Sequence, residues 1–251
     1  MPTVTSLKNP LWLLILSYLL NPNSRYSKLA QLSEQPAEFE FPRANLPLHF
    51  HFTGPYHSSI GRENISFPWD KLTGQPLVYA SMGTIQNRLL PVFEAIAVAC
   101  VGLNVQLVIS LGGGIPLKAT STLHGNPLVV GYAPQLEVLK RASLTITHAG
   151  LNTVLESLTC GVPMVAIPIA NDQPGIAARI VWAGVGEMIP ISQLTVASLQ
   201  SVIHQVLTQD SYRLQTLRLQ SAIQNSGGVN QAANIIESVI ATGKPALKST
   251  S

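Results

Sequence analysis

"SLTITHAGLNTVLESLTCGVPMVAIPIA", residues 143–170, is the stretch that decides the fold class. Its first part, "SLTITHAG", has the pattern of a strand, and "NTVLESLTCG" has the pattern of a helix that Gly161 closes. "PMVAIPIA" has the pattern of a second strand. A strand, a helix and a strand in this order predict a parallel pair of strands joined by a helical crossover.

The same alternation runs from residue 76 almost to the end of the chain. Thr195 is placed to cap a helix that starts after it, and two more helices are expected up to about residue 242. This order predicts an α/β fold, a Rossmann-like parallel sheet with helices on both faces. The further predicted strands are 76–83, 104–112, 126–134 and 185–191, and the further predicted helices are 88–100, 135–142, 175–184 and 196–207.

Composition narrows the function classes. Only 11% of the 251 residues are Asp, Glu, Lys or Arg, against about 25% in ordinary soluble domains. The net charge of +3 comes from scattered residues, so no nucleic-acid-binding surface is expected. The two cysteines, Cys100 and Cys160, form no CxxC pair or disulfide framework. This favours a reducing compartment, and we expect a cytoplasmic protein.

The amino-terminal part carries an isolated apolar run, "LWLLILSYLL" at residues 11–20. It is shorter than the roughly 20 residues that cross a bilayer, and no small-residue cleavage site follows it. We expect no transmembrane span; the run either packs internally or makes the protein membrane-peripheral. Prolines interrupt residues 21–76, where "LPLHFHFTGP" (46–55) predicts one short strand. His49 and His51 share a face of this strand, but a third metal ligand is not near them.

Polar residues collect where the predicted strands end. Right-handed crossovers bring the carboxyl ends of parallel strands to one edge of the sheet, so these loops should surround one cleft. That cleft would hold hydroxyls, amides, an imidazole and carboxylates. The residues concerned are Ser81, Gly83 and Thr84; Gly131, Tyr132, Pro134 and Gln135; His148, Gly150, Asn152 and Thr153; and Asn171, Asp172 and Gln173.

The loop that begins at His148 suits an anionic ligand. Gly150 allows close approach of the backbone, and Asn152 and Thr153 lie in the first turn of the next helix, where free N–H groups favour phosphate. His148 can donate a further hydrogen bond. Glu156 lies one turn farther along the helix, where it could accept from sugar hydroxyls. The alternative is purely structural: Asn152 caps the helix, Gly150 makes the turn, and His148 is an ordinary loop residue.

Two common phosphate-binding motifs are absent from the sequence. A dinucleotide-binding fingerprint that started at Gly112 would need glycine where the chain has Leu117. The Gly243–Lys244 pair lies near the carboxyl terminus and belongs to no Walker sequence. NAD-dependent and ATP-dependent enzymes of those classes are therefore not expected.

Residues 131–180 resemble the nucleotide-sugar signature of UDP-glycosyltransferases, which are two-domain enzymes of the GT-B fold. This part reads "GYAPQLEVLKRASLTITHAGLNTVLESLTCGVPMVAIPIANDQPGIAARI". "ANDQPGIAARI" and "HFHFTGP" are most similar to the bacterial branch that includes zeaxanthin and macrolide glycosyltransferases. The signature covers about 50 residues and is specific, and a fainter resemblance covers nearly the whole chain.

Carried over by position, the resemblance implies a role for each polar loop. Where this chain has Tyr132, many family members place a Trp under the uracil, and Tyr can also stack. The implied diphosphate contacts are Ser81, Thr84, His148, Gly150, Asn152 and Thr153; the implied uridine contacts are Tyr132, Gln135 and Glu156; the implied contacts to the sugar are Asp172 and Gln173.

The resemblance implies transfer of a hexose, with glucose the expected sugar, from a UDP-sugar to a hydroxyl of a small lipophilic acceptor. Helix N–H groups, His148 and hydroxyls would stabilise the diphosphate leaving group, without a metal or another cofactor. The acceptor hydroxyl needs a general base. In the family this base is a His of an amino-terminal acceptor domain. No catalytic residue is therefore assigned in this chain, and a separate acceptor-domain chain is a candidate partner.

The resemblance also divides the chain. Residues 1–72 correspond to a remnant of the acceptor domain with its linker, residues 73–245 to the nucleotide-sugar-binding domain, and residues 246–251 to a disordered tail. The last helices, which in the family cross back to the amino-terminal domain, would lack their partner. Two hypotheses stay open: a transferase whose acceptor half is supplied separately, and a nucleotide-sugar-binding fragment without catalysis. An unrelated Rossmann-like structural module conflicts with the specificity of the signature.

Overall fold

A computed structural model describes residues 26–57, 63–85 and 88–248. In these residues the strands fall into a small two-stranded sheet and a six-stranded sheet, and all neighbours pair in parallel. The strands are β1 (Gln31–Ser33), β2 (Phe50–Phe52), β3 (Leu77–Ser81), β4 (Gln106–Ser110), β5 (Leu128–Val130), β6 (Ala142–Thr147), β7 (Met164–Ala166) and β8 (Gly186–Met188). The order in the large sheet is β5-β4-β3-β6-β7-β8. Strands are added outward from β3 to β5 on one side and from β6 to β8 on the other, so the strand order switches between β3 and β6.

Helices connect these strands and follow the last of them. The α-helices are α1 (Leu90–Ala99), α2 (Gln135–Leu139), α3 (Leu151–Thr159), α4 (Gln173–Trp182), α5 (Val196–Thr208), α6 (Asp210–Asn225) and α7 (Gly228–Thr242). Short 3₁₀ segments lie at Ala37–Phe39, Trp69–Lys71, Leu117–Thr120 and Ile191–Gln193.

Side chains that alternate along β3 show how the helices cover both faces of the sheet. Val78 and Ala80 belong to a buried cluster that includes residues of α1 and α5. Tyr79 points to the other face, where it packs with Val138 and Leu139 of α2. A third cluster joins α3, α4 and α6 to the strand β7 on this second face. The predicted fold class is confirmed.

The strands and helices predicted from residue 76 onward are all present. The strands end earlier than predicted, because their last residues turn away into the loops at the sheet edge. Thr195 caps α5 as expected. Its hydroxyl accepts from the Ser198 backbone N–H at 3.1 Å, and the Ser198 hydroxyl accepts from the Thr195 N–H at 3.0 Å. The predicted short strand near residue 50 is β2, but its partner β1 was not predicted.

The segment before residue 72 packs directly on the helices that follow it. Phe39 is fully buried among residues of α3, α4 and α6. Glu40 accepts two hydrogen bonds from the Arg179 guanidinium of α4, both at 3.1 Å.

The two histidines of β2 and its flank have protein partners. His49 lies 3.2 Å from the Gln31 amide and His51 lies 2.9 Å from the Ala246 carbonyl. The described residues hold no cluster of potential metal ligands.

Residues 246–248, part of the predicted disordered tail 246–251, make backbone hydrogen bonds to the amino-terminal segment. The Ala246 N–H donates to the Leu29 carbonyl and the Lys248 N–H to the Leu48 carbonyl, both at 2.9 Å. The residues that follow α7 therefore contact the amino-terminal segment. Residues 249–251 and the apolar run 11–20 lie outside the described residues. Within the described part, the helices are too short or too polar to cross a membrane.

Candidate functional site

A cleft of about 440 Å³ lies at the carboxyl ends of the strands, above the reversal between β3 and β6. This is where open parallel sheets bind ligands. The loops after β3, β4, β5, β6 and β7 all contribute to it. Its lining is Tyr79, Ser81, Gly83, Thr84, Ile85, Ser110, Gly112, Tyr132, Ala133, Gln135, His148, Gly150, Leu151, Asn152, Thr153, Asn171, Asp172 and Gln173. The structure thus brings together all the predicted ligand contacts except Glu156, while Gly131 and Pro134, which were also expected around the cleft, do not line it.

Two glycines enclose the His148 imidazole. A Cβ at Gly83 would lie 2.6 Å from His148 Cε1, and a Cβ at Gly150 would lie 2.6 Å from Nε2. Gly150 has φ −64° and ψ 129°, which any residue can adopt, so glycine is needed there for space and not for backbone freedom. Ala149 carries the unusual φ of 65° that turns the chain from β6 into α3.

Helix α3 presents its first turn to the cleft. Its N-cap is Gly150, which has no side chain to satisfy the helix N–H groups, and no side-chain cap bond is present. The structural alternative, in which Asn152 caps this helix, is therefore wrong. Asn152 and Thr153 lie inside the first turn and line the cleft. Unpaired N–H groups and the positive end of the helix dipole make this position attractive for phosphate.

His148 is placed to respond to an anion. Burial lowers the pKa of its imidazole, and the Asp172 carboxylate and the Ser81 backbone offset this only in part. The ring is therefore neutral at pH 7. Its Nδ1 atom is buried without a hydrogen-bond partner among the described residues. A buried polar atom without a partner has a desolvation cost.

Glu156 lies behind the cleft. It is almost completely buried, and its Oε2 accepts from Gln135 Nε2 at 2.7 Å. Gln135 itself lines the cleft. Glu156 was predicted on the same face of the helix as Asn152, but Asn152 is exposed, whereas Glu156 is buried and reaches the cleft through the Gln135 amide.

The opposite end of the cleft is formed by the start of α4. Asp172 is the N-cap residue of this helix but makes no side-chain cap bond. The Gln173 side-chain carbonyl accepts from the backbone N–H groups of Ile169 and Ala170 at 2.9 and 3.0 Å, which fixes the loop after β7. Asp172 therefore supplies a carboxylate to the cleft, while the oxygen of Gln173 shapes the loop that carries it.

Tyr132 forms one wall, and its ring is half exposed. Its hydroxyl lies close to Gly113, where an added Cβ would collide with it. Ser110, the last residue of β4, and Gly112, which follows the strand, were not predicted as site residues. Ser110 pairs in register with Ser81 at the ends of adjacent strands. A hydroxyl residue at the end of a buried strand is a sequence signal that applies to Ser81 and Ser110 alike. Only Ser81 was predicted as a site residue from it.

Comparison with known proteins decides the family. Residues 25–230 match UDP-glucuronosyl and UDP-glucosyl transferases. The chain belongs to this family. The zeaxanthin glucosyltransferase of Pantoea ananas is 35% identical over 225 residues, which cover 88% of this chain and 52% of that relative. The chain spans about half the length of the curated relatives that it matches.

Solved glycosyltransferases share the fold of this UDP-glycosyltransferase chain. The glycosyltransferase of kitacinnamycin has a TM-score of 0.74 and 27% identity, with 84% of this chain and 54% of that one covered. A spinosyn rhamnosyltransferase, solved in complex with thymidine diphosphate, has a TM-score of 0.70 and 18% identity, with coverage of 84% and 57%. At this identity the second likeness concerns the fold alone. The predicted GT-B type of Rossmann-like domain is confirmed.

Proposed function

We propose that this chain is the donor-binding half of a glycosyltransferase. It would act in the transfer of a hexose, specifically glucose, from a UDP-sugar to a hydroxyl of a small lipophilic acceptor. The observation that carries the proposal is the uncapped first turn of α3 beside the buried His148 imidazole, at the carboxyl edge of a parallel sheet. The glucosyl donor and the lipophilic acceptor are supported by the zeaxanthin glucosyltransferase relative.

The leaving group of this reaction is a nucleoside diphosphate, which gains negative charge as the glycosidic bond breaks. Donors already aimed at that charge stabilise the transition state. The α3 N–H groups, His148 and the hydroxyls of Ser81, Thr84 and Thr153 would supply them. In this arrangement the residues of the chain stabilise the diphosphate themselves, with no metal ion or cofactor as an intermediary.

The remaining roles follow from position in the cleft. Tyr132 and Gln135 would contact the uridine, and Asp172 would accept from hydroxyls of the sugar. The diphosphate would lie between these two groups, against the first turn of α3. The imidazole that lines the cleft, His148, faces the leaving group, so the general base would come from the acceptor-binding part of the enzyme.

A second candidate function is nucleotide-sugar binding without transfer. The observation that favours it is the lining of the cleft, in which the groups are assigned to the donor and none is assigned as the general base. The transferase hypothesis instead needs an acceptor domain, either from a separate chain or from the same protein. A cytoplasmic location belongs to the proposal as well, because Cys100 and Cys160 are both free thiols.

Calorimetric titration with UDP and UDP-glucose tests donor binding. We expect saturable binding that His148→Ala weakens about tenfold or more, because a charge-assisted hydrogen bond to phosphate is lost. His204→Ala is the matched control, since this exposed imidazole lies on α5 away from the cleft, and it should bind like wild type. A folded wild-type chain that binds neither nucleotide would refute the proposal.

Transfer is separated from mere binding by following UDP release from UDP-glucose. With an acceptor domain of a bacterial relative supplied together with a lipophilic alcohol, the transferase hypothesis predicts acceptor-dependent release. Donor binding without any such release would favour the non-catalytic alternative.

A further inference from the structure

Tyr79 places a phenol in the floor of the cleft, from the middle of β3. The residue is fully buried, and its ring packs with Val108, Val138 and Leu139. A phenylalanine ring could fill this apolar space equally well. The hydroxyl therefore needs a separate reason, because burying an oxygen is costly unless it is hydrogen-bonded.

One partner of the hydroxyl is the Gln135 side chain, and the Ser110 and Ser81 side chains also hydrogen-bond this phenol. It donates to Gln135 Oε1 at 3.1 Å. The other end of the same amide donates from Nε2 to Glu156 Oε2 at 2.7 Å, with the Thr153 hydroxyl at 3.4 Å. Tyr79 and Glu156 thus hold the Gln135 amide from opposite ends.

The chemistry of the two partners fixes which way the amide points. The NH₂ group of the amide only donates and faces the Glu156 oxygen, which accepts from it. The carbonyl must then face a donor, and the Tyr79 hydroxyl is that donor. Burial raises the pKa of Tyr79 to about 12, so the phenol keeps its proton at every pH at which the protein would work. The Tyr79 hydroxyl therefore remains a hydrogen-bond donor to Gln135 throughout this pH range.

Gln135 is the member of this network that lines the cleft, next to Tyr132 and Ala133. We propose that Tyr79 is a positioning residue for nucleoside recognition, which holds Gln135, and through it Glu156, in the orientation that the nucleoside meets. This inference rests on the proposed function, in which Gln135 lies at the uridine. Tyr79 acts through Gln135 and has no contact of its own with the reacting atoms.

A double-mutant cycle on UDP affinity tests the proposal. Tyr79→Phe keeps the ring and removes only the hydroxyl, and we expect it to weaken UDP binding by about 3- to 10-fold, the range for one hydrogen bond. In a Gln135→Ala background the same change should have no further effect, since the amide it orients is gone. A general loss of structure would lower affinity in both backgrounds.

Tyr212→Phe is the matched control. Tyr212 is also buried, and its hydroxyl donates to Glu187 Oε1 at 2.6 Å, but it lies on α6 outside the cleft. This variant should bind UDP like wild type, with any change confined to thermal stability.

The possible results distinguish the positioning role of Tyr79 from the proposed donor binding on which it rests. Wild-type chain that binds UDP, together with Tyr79→Phe of equal affinity, would overturn the positioning role and leave the donor site intact. A Tyr79→Phe loss that persists in full in the Gln135→Ala background would also overturn it. Wild-type chain that is folded but binds no UDP would refute the proposed function itself, and with it this inference.

Discussion

Gly150→Ala is expected to weaken UDP binding by about tenfold or more. The new Cβ would lie 2.6 Å from His148 Nε2 and 2.7 Å from Cε1, distances that force the imidazole to move. The backbone at residue 150, with φ −64° and ψ 129°, accepts alanine without strain, so the substitution acts through the imidazole. The expected size corresponds to the loss of one hydrogen bond to a charged group, measured by calorimetry.

The double variant His148→Ala/Gly150→Ala identifies the cause. Removal of the imidazole makes room for the Cβ, so Gly150→Ala should add no loss of affinity in the His148→Ala background. Thermal unfolding checks that each variant is folded. Wild-type affinity in Gly150→Ala would show that the imidazole does not need its place between the two glycines, and would contradict the account of this loop.

Glu40→Gln is expected to lower the free energy of unfolding by about 2–4 kcal/mol, since it leaves the Arg179 charge largely buried without its partner. The wild-type carboxylate accepts from Arg179 Nε and Nη2 at 3.1 Å and from the Gln35 amide at 2.7 Å. It joins the amino-terminal segment to α4. Urea denaturation at pH 7 measures the loss. Glu137→Gln is the control, because its ion pair with Lys140 is half exposed and should contribute less than about 1 kcal/mol.

The same pair makes stability depend on pH. Burial raises the pKa of Glu40, but the hydrogen bond and charge of Arg179, with smaller contributions from Phe41 and Arg43, outweigh it and leave the pKa below its ordinary value. Its contribution is therefore complete above the ordinary carboxyl pKa of 4.5 and is lost as the pH falls through the folded-state value. Wild type should lose stability more steeply than Glu40→Gln below about pH 4.5. Parallel curves for the two proteins would contradict this.

Local sequence signals were enough for the sheet and its helices. Strand and helix periodicity, and the hydroxyl of Thr195 before an apolar run, are properties of neighbouring residues. The partners of β1 and of residues 246–248 could not be predicted in this way, because their backbone hydrogen bonds join distant parts of the chain. Helix α3 begins at Leu151, one residue before the predicted start, with Gly150 as its N-cap after Ala149 at φ 65°.

In the site, too, local sequence signals predicted some features, and contacts between distant residues decided the others. Polar residues at strand ends predicted the cleft, since parallel strands bring their carboxyl ends together. The burial of Glu156 behind Gln135 depends on a contact across 21 positions, and helical spacing alone does not reveal it. Tyr79 looks like one more apolar strand residue in the sequence. Only the position of its hydroxyl beside the Gln135 amide distinguishes it from a core aromatic residue.

A crystal structure of the chain with UDP is the measurement that tests the central claim most directly. The diphosphate is expected between His148 and the first turn of α3, with the uracil beside Tyr132 and Gln135. UDP bound elsewhere on the chain, or a diphosphate that touches neither His148 nor the α3 N–H groups, would contradict it.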